Sequence, residues 1–188
     1  MDPIVVLAGA ANADAVPGIE KLPATVQVRY VTEPSDIAGA VIGADVAFGW
    51  GFASQLTKAV WHAGDALRWV HWCGSGIDSL IDDDLVSSEV ILTNSRGTVS
   101  RGMAEFTLAL ILAFAKKLPD TLRFQTQHQW THQLNEQVVG ANALVIGVGS
   151  IGREIGRVLS AVGLKVDGMG RHRRESDEDF RKIYGVDE

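Results

Sequence analysis

The sequence predicts an α/β protein: a flavodoxin-like parallel sheet, followed by the first part of a second sheet of Rossmann type. Three observations carry this. Strand-like and helix-like segments alternate through the first hundred residues, a rhythm that gives mostly parallel sheets with helices on both faces. A long apolar helix follows. Near the end, a glycine-punctuated turn separates a short apolar run from an amphipathic segment.

In the first part, Ile4 to Gly9, Val26 to Val31, Ala44 to Trp50, Leu67 to Cys73 and Val90 to Thr93 read as strands. They are short apolar runs rich in β-branched and aromatic residues. Between them, Ala13 to Leu22, Ser35 to Ile42 and Ser54 to His62 read as helices, with Ser35 and Ser54 as N-caps. Residues 1–98 thus form one domain and 99–188 a second. No repeat or low-complexity segment interrupts them.

Met103 to Lys117 (MAEFTLALILAFAKK) joins the two. It is built of strong helix formers, closed by lysines and followed by Pro119. It is apolar almost all round, so it is expected to be buried on several sides, as a core helix between domains or as a subunit interface. Asp120 to Glu136 is polar and is expected to continue as a helix and then a loop.

Ala143 to Gly149 reads as a buried parallel strand. Gly147, Gly149 and Gly152 then spell G-x-G-x-x-G, Ser150 and Ile151 open a helix to about Val162, and Leu164 to Gly170 reads as the next strand. The first glycine allows a tight turn, the second lets backbone approach a pyrophosphate, and the third lets helix pack close on strand. The helix N-terminus adds amides and a dipole aimed at the phosphates. The strand–turn–helix–strand context raises the pattern well above chance as a dinucleotide site, the alternative being a glycine-rich turn that holds no ligand.

The tip of that second strand bears on which dinucleotide. An acidic side chain there would bind the ribose 2′-hydroxyl of NAD, whereas arginine accommodates the 2′-phosphate of NADP. The sequence reads Gly170, Arg171, His172, Arg173, Arg174, with no carboxylate before Glu175, and Asp167 stands too early. NADP is therefore expected, with NAD the alternative. A solvated basic loop is the plainer reading. The tail from Glu175 is charged and expected to fray.

In open parallel sheets ligands bind beyond the carboxyl ends of the strands. In the first domain those ends are Gly9-Ala10-Ala11, Gly49-Trp50-Gly51-Phe52, Cys73-Gly74-Ser75-Gly76-Ile77-Asp78 and Asn94-Ser95-Arg96-Gly97. Glycines 74 and 76 would let successive amides converge on an anion, with a short helix from Ile77 or Asp78 adding its dipole. A carboxylate ligand and a turn that holds nothing are both open readings. Trp50 either walls a small pocket or packs. His71, inside an apolar strand, is expected to be a hydrogen-bonded core histidine.

Composition narrows the function classes. The 188 residues are 46% hydrophobic and 21% charged, ordinary for a globular protein. A net charge of −6 disfavours nucleic acid and anionic membranes as partners. The single cysteine, Cys73, excludes an internal disulfide and a multi-cysteine metal site. The start lacks a signal-peptide pattern, and the longest apolar stretch is too short to span a bilayer, so a cytoplasmic location is the expectation.

Taken in order, Arg68 to Leu80 (RWVHWCGSGIDSL), Thr93-Asn94, Ala104-Glu105 heading the apolar helix, and the glycine turn GVGSIGREIG resemble the D-isomer-specific 2-hydroxyacid dehydrogenases. Gly170 followed by Arg171, where the family's NAD-binding acid is expected, looks like the NADP-preferring, glyoxylate or hydroxypyruvate reductase-like members. The resemblance implies a substrate-binding first domain, in which the amides of Ser75, Gly76 and Ile77 hold the carboxylate of a small 2-oxo acid. It implies that Gly147, Gly149, Ser150, Ile151 and Gly152 hold the pyrophosphate. It also implies a homodimer in the complete protein. The family's catalytic arginine, glutamate and histidine have no matching position here, so no catalytic residue is carried over. The expectation is a C-terminally truncated chain without turnover of its own. A non-catalytic nucleotide- or small-acid-binding module, or a gene fragment, are the alternatives.

Overall fold

The structure, a computed structural model, describes residues 2–51 and 53–187. Phe52, quoted above in the second strand-end loop, lies outside the described residues. The chain forms two compact units, Met1–Arg96 and Gly97–Glu188.

The first unit holds five strands: β1 (Ile4–Ala8), β2 (Gln27–Val31), β3 (Val46–Gly49), β4 (Trp69–Trp72) and β5 (Ile91–Asn94). All pair in parallel, in the order β2-β1-β3-β4-β5. That is the flavodoxin-like order, whose ligand crevice lies at the carboxyl ends. Its helices are α1 (Ile37–Ala40), α2 (Ser54–Ala63) and α3 (Asp83–Ser87). On one face of the sheet Val6, Ala8, Val31, Ala47 and Val70 pack against Ile37 and Ala40 of α1 and Val60 of α2. On the other, Leu7 meets Ala10 and Val16, with Phe48 and Trp50 alongside.

Helices of the first unit differ from expectation in detail. The segment 13–22 is two short 3-10 turns, Ala13–Ala15 and Ile19–Lys21. Pro17 and left-handed Gly18 (φ 88°) break the helix between them. Ser35 caps nothing: Glu33 and Asp36 cap a 3-10 turn reciprocally before α1. Ser54 is the first residue of α2 rather than its cap, which falls on Ala53 without a side-chain bond. Helix α3 was not anticipated. Asp82 caps it, accepting from the Leu85 amide at 2.9 Å, and two further aspartates favour its positive end.

The second unit contains α4 (Ser100–Ala115), α5 (Leu118–Thr126), β6 (Asn142–Ile146), α6 (Ser150–Ala161), β7 (Lys165–Met169) and β8 (Ile183–Tyr184). The sheet is parallel, ordered β6-β7-β8. Helix α4 starts three residues before the expected point and is not buried on several sides. Leu108 and Ile111 reach the core of this unit, whereas Met103, Phe106, Leu110 and Phe114 are exposed. Helix α5 ends at Thr126, well short of Glu136.

The tail does not fray. Strand β8 adds a third strand where only two were expected, and Asp179, Phe180 and Ile183 are among the most buried residues. Phe180 fills the space over two glycines, Gly156 and Gly168. Phe180 and Ile183 supply the apolar anchors that pack the returning chain on the sheet.

Candidate functional site

The glycine turn sits between β6 and α6. Gly147 has φ 98°, a left-handed conformation that favours glycine, and its amide donates to the Met169 carbonyl of β7 at 2.8 Å. The start of the turn is thus fixed to the neighbouring strand. Gly152 is buried in the first turn of α6, and a Cβ there would overlap the Gly147 carbonyl oxygen. Gly149 is the helix N-cap. A Cβ on it would meet nothing within 4 Å, so the loop is open on that side. Ser150 is exposed and Ile151 half-buried at the head of a twelve-residue helix. The fit to a diphosphate is good: an open glycine, a helix N-terminus and closely packed flanks.

Beyond β7 the chain enters the basic loop. Gly170 donates its amide to Tyr184 and Arg174 donates to Ile183, so the loop is pinned at both ends to β8. A Cβ on Gly170 would stand 2.9 Å from Val148 Cγ2, too close for a stiff valine to accommodate freely. The position where an NAD-type carboxylate would be rooted is therefore closed to side chains. Arg171, His172 and Arg173 are exposed. Arg173 and Arg174 line a concavity of about 670 Å³ with Glu175, Ser176 and Lys182. Asp167 is occupied elsewhere: Arg181 donates to both its oxygens, at 3.1 and 2.9 Å.

A charge cluster holds the returning chain against α6. One nitrogen of Arg153 lies 2.8 Å from both Asp177 and Asp179, and Arg157 Nε lies 2.8 Å from Asp179. Burial alone would raise the Asp177 carboxyl, but the Arg153 hydrogen bond and two backbone amides outweigh it and hold the carboxyl low. Sequence reasoning missed this cluster. Its signal was two arginines four apart on one helix face and an Asp-x-Asp downstream.

In the first unit, the loop 73–77 follows β4. Gly74 is required for space, since a Cβ would overlap the Trp72 indole. Neither Gly74 nor Gly76 has a positive φ, so the amides are not turned by left-handed glycines, as the sequence suggested. Nor does a helix begin at Ile77 or Asp78. A single turn forms instead, with the Ile77 carbonyl accepting from Leu80 and Ile81. What holds the loop is β5: Asn94 Nδ2 donates to the Ser75 carbonyl at 2.8 Å and the Ser95 amide to the Gly74 carbonyl at 3.2 Å. Ser75 and Ile77 are half-buried and Gly76 exposed. Trp50, just past β3, packs against the Leu7–Ala10–Val16 cluster.

His71 has the core role expected of it. Its ring stacks on Phe48, centroids 5.0 Å apart. Trp69 Nε1 donates to Thr93 Oγ1 at 2.8 Å, and the same hydroxyl is hydrogen-bonded to His71 Nδ1, also at 2.8 Å. Its other ring nitrogen, Nε2, lies 3.3 Å from Ser95 Oγ. Burial pushes its pKa down. Burial likewise pushes the Cys73 thiol up, against a nucleophilic role. Among the described residues no cluster of His, Cys, Asp and Glu is placed to hold a metal ion, and no helix is long and apolar enough to cross a membrane.

Residues 108–188 match the D-isomer specific 2-hydroxyacid dehydrogenase, NAD binding domain. The matched stretch contains the whole phosphate turn and the basic loop. Over those residues the chain is similar to the D-isomer-specific 2-hydroxyacid dehydrogenases. Among similar proteins is the glyoxylate reductase of Korarchaeum cryptofilum, 26% identical over 138 residues, a match covering 70% of this chain and 41% of that protein. A solved family structure from Aeromonas salmonicida subsp. salmonicida superimposes over the whole chain with a TM-score of 0.80 and 24% identity, covering 59% of that protein. The NADPH-dependent glyoxylate/hydroxypyruvate reductase of Sinorhizobium meliloti, solved with NADP and sulfate, gives 0.71 at 19% identity, over 100% of this chain and 57% of that one. The chain spans from a fifth to two fifths of the length of the curated 2-hydroxyacid dehydrogenase relatives it matches.

Proposed function

We propose that this chain supplies the carboxylate-binding domain and the phosphate grip of an NADP-preferring 2-hydroxyacid dehydrogenase acting on small 2-oxo acids. The observation that carries the reading is the turn Gly147–Gly152 beside a β7 tip that has room for arginine but not for a rooted acid. Gly147, Gly149, Ser150, Ile151 and Gly152 would hold the pyrophosphate. Arg171, with His172 and Arg173, would face the 2′-phosphate, since guanidinium matches phosphate geometry. When bound, the nicotinamide carries the hydride.

The chain's own part is binding and orientation. The Ser75, Gly76 and Ile77 amides would fix the substrate carboxylate, and Trp50 would border that site. Two of its histidines are engaged by other side chains. His71 is hydrogen-bonded to Thr93, His62 pairs with Asp82 at 2.9 Å, His128 and His132 follow α5, and His172 lies in the basic loop. We assign none of them the proton transfer, and turnover by this chain alone is not expected. The exposed stripe Met103–Phe106–Leu110–Phe114 supports a homodimer. The sequence features remain those of a cytoplasmic protein.

Calorimetric titration of the chain with NADPH and NADH tests the proposal. NADPH is expected to bind at least about tenfold more tightly, a difference of about 1.4 kcal/mol. Equal affinities would overturn the NADP preference, and no binding of either would overturn the phosphate grip.

A further inference from the structure

The loop read above as a carboxylate cradle is oriented from outside itself. Each trans peptide points its C=O and N–H in opposite directions, and no described peptide is cis. The Gly74 carbonyl is bound by the Ser95 amide, and the Ser75 carbonyl by Asn94 Nδ2. The amides of Ser75 and Gly76 therefore point to the side of the loop away from the end of β5. Those are two of the three amides assigned to the substrate.

We propose that Asn94 is a positioning residue for anion recognition: its side-chain amide, by donating to the Ser75 carbonyl, aims the Gly76 N–H at the substrate carboxylate. The proposal rests on the carboxylate reading of this loop. Asn94 is suited to it because both ends of its side chain are used. Oδ1 accepts from the Arg96 amide at 3.4 Å while Nδ2 reaches Ser75 at 2.8 Å. An acceptor alone would keep the turn onto Arg96 and lose the hold on the loop. Asp78 opposes the anion. Its Oδ2 lies 3.6 Å from where a Cβ on Gly76 would stand, so the amides must outweigh a nearby negative charge, and their aim matters more.

Asn94→Asp separates donor from shape. An ionised carboxylate cannot donate to Ser75, whereas a protonated one can. The other titratable or charged groups around this position are His71 and Cys73 on the β4 side, Asp78 on the loop and Arg96 at the exit of β5. Asn94→Ala shares all of them and serves as the control. The measurement is a ¹H–¹⁵N titration of the full chain with oxamate between pH 4 and 8, read at the Ser75, Gly76 and Ile77 amides. Wild type should bind with shifts at these three amides. At pH 7 both variants should bind about tenfold more weakly. As pH falls through the carboxylic range near ~4, Asn94→Asp should regain affinity relative to Asn94→Ala. Should Asn94→Ala fail to fold, the pH profile of Asn94→Asp against wild type decides. Wild-type affinity in both variants would overturn the role of Asn94 and leave the carboxylate reading standing. So would an Asn94→Asp variant equally weak at every pH. Absence of shifts at residues 75–77 in wild type would instead overturn the carboxylate reading, and this proposal with it.

Discussion

Gly152 lies against the carbonyl oxygen of Gly147 so closely that a Cβ on it would overlap that oxygen. The third glycine of the pattern is thus a packing residue for the first, and the pair closes the turn. Gly152→Ala should push α6 away from β6 and lower both stability and cofactor affinity. Overpacking of this kind typically destabilises by about 1–3 kcal/mol. Gly149→Ala is the informative contrast, since its Cβ enters open space. It should leave urea stability nearly unchanged and weaken NADPH binding. An equal loss of stability in both would contradict this division.

Cofactor preference should respond to the tip of β7. Arg171→Ala is expected to weaken NADPH about tenfold or more while leaving NADH within about twofold, as loss of a charge-assisted contact requires. Gly170→Asp should gain no NADH affinity on its own, because Val148 blocks the position. With Val148→Ala in the same chain, NADH affinity should rise. Competition binding with the two cofactors reads both outcomes.

The Asp179 carboxylate is buried, its side chain 1% exposed, between Arg153 and Arg157. The arginines are themselves partly solvated, so the contribution is well below that of a fully buried pair. Asp179→Ala should destabilise the second unit by about 1–3 kcal/mol. Hydrogen exchange should speed up first around Phe180–Tyr184. Protection there equal to wild type would show that Phe180 packing alone holds the segment.

Acid should weaken the first unit through His71. Its folded pKa lies below the ordinary 6.5 because burial disfavours the charged ring. The unfolded chain then binds more protons than the folded one in the window just below 6.5. That stabilisation is complete above pH 6.5 and is lost as pH falls toward the folded value. His71→Gln should flatten this slope. Asp82 acts at lower pH. Its carboxyl is held at about 2, first by the Leu85 amide and then by Lys58, so its contribution is present above about pH 3.8 and lost below. Urea unfolding at stepped pH values measures both.

Much of this architecture was written locally. The strands of both sheets announce themselves as short β-branched runs, and the phosphate turn as three glycines flanked by a strand and a helix. The parts not foreseen depend on contacts remote in sequence. Strand β8 exists because Phe180 finds Gly156 and Gly168, a fit invisible in a charged tail. The loop at 73–77 takes its shape from Asn94 and Ser95, some twenty residues on, rather than from its own glycines. The segment 13–22 fell to an opposite error, in which apolar spacing outweighed the clear break at Pro17-Gly18. Helix α4 read as buried all round because composition alone does not tell a core face from an exposed one.

The basic loop leaves β7 and returns to β8 with both ends fastened, at Gly170–Tyr184 and Arg174–Ile183. Because those fastenings and the packing of Phe180 and Ile183 set the strand register, the exposed Arg171 and His172 between them can be exchanged without disturbing the sheet. A lineage could therefore recharge this tip, and so shift its dinucleotide preference, by changes that leave the foldable body intact.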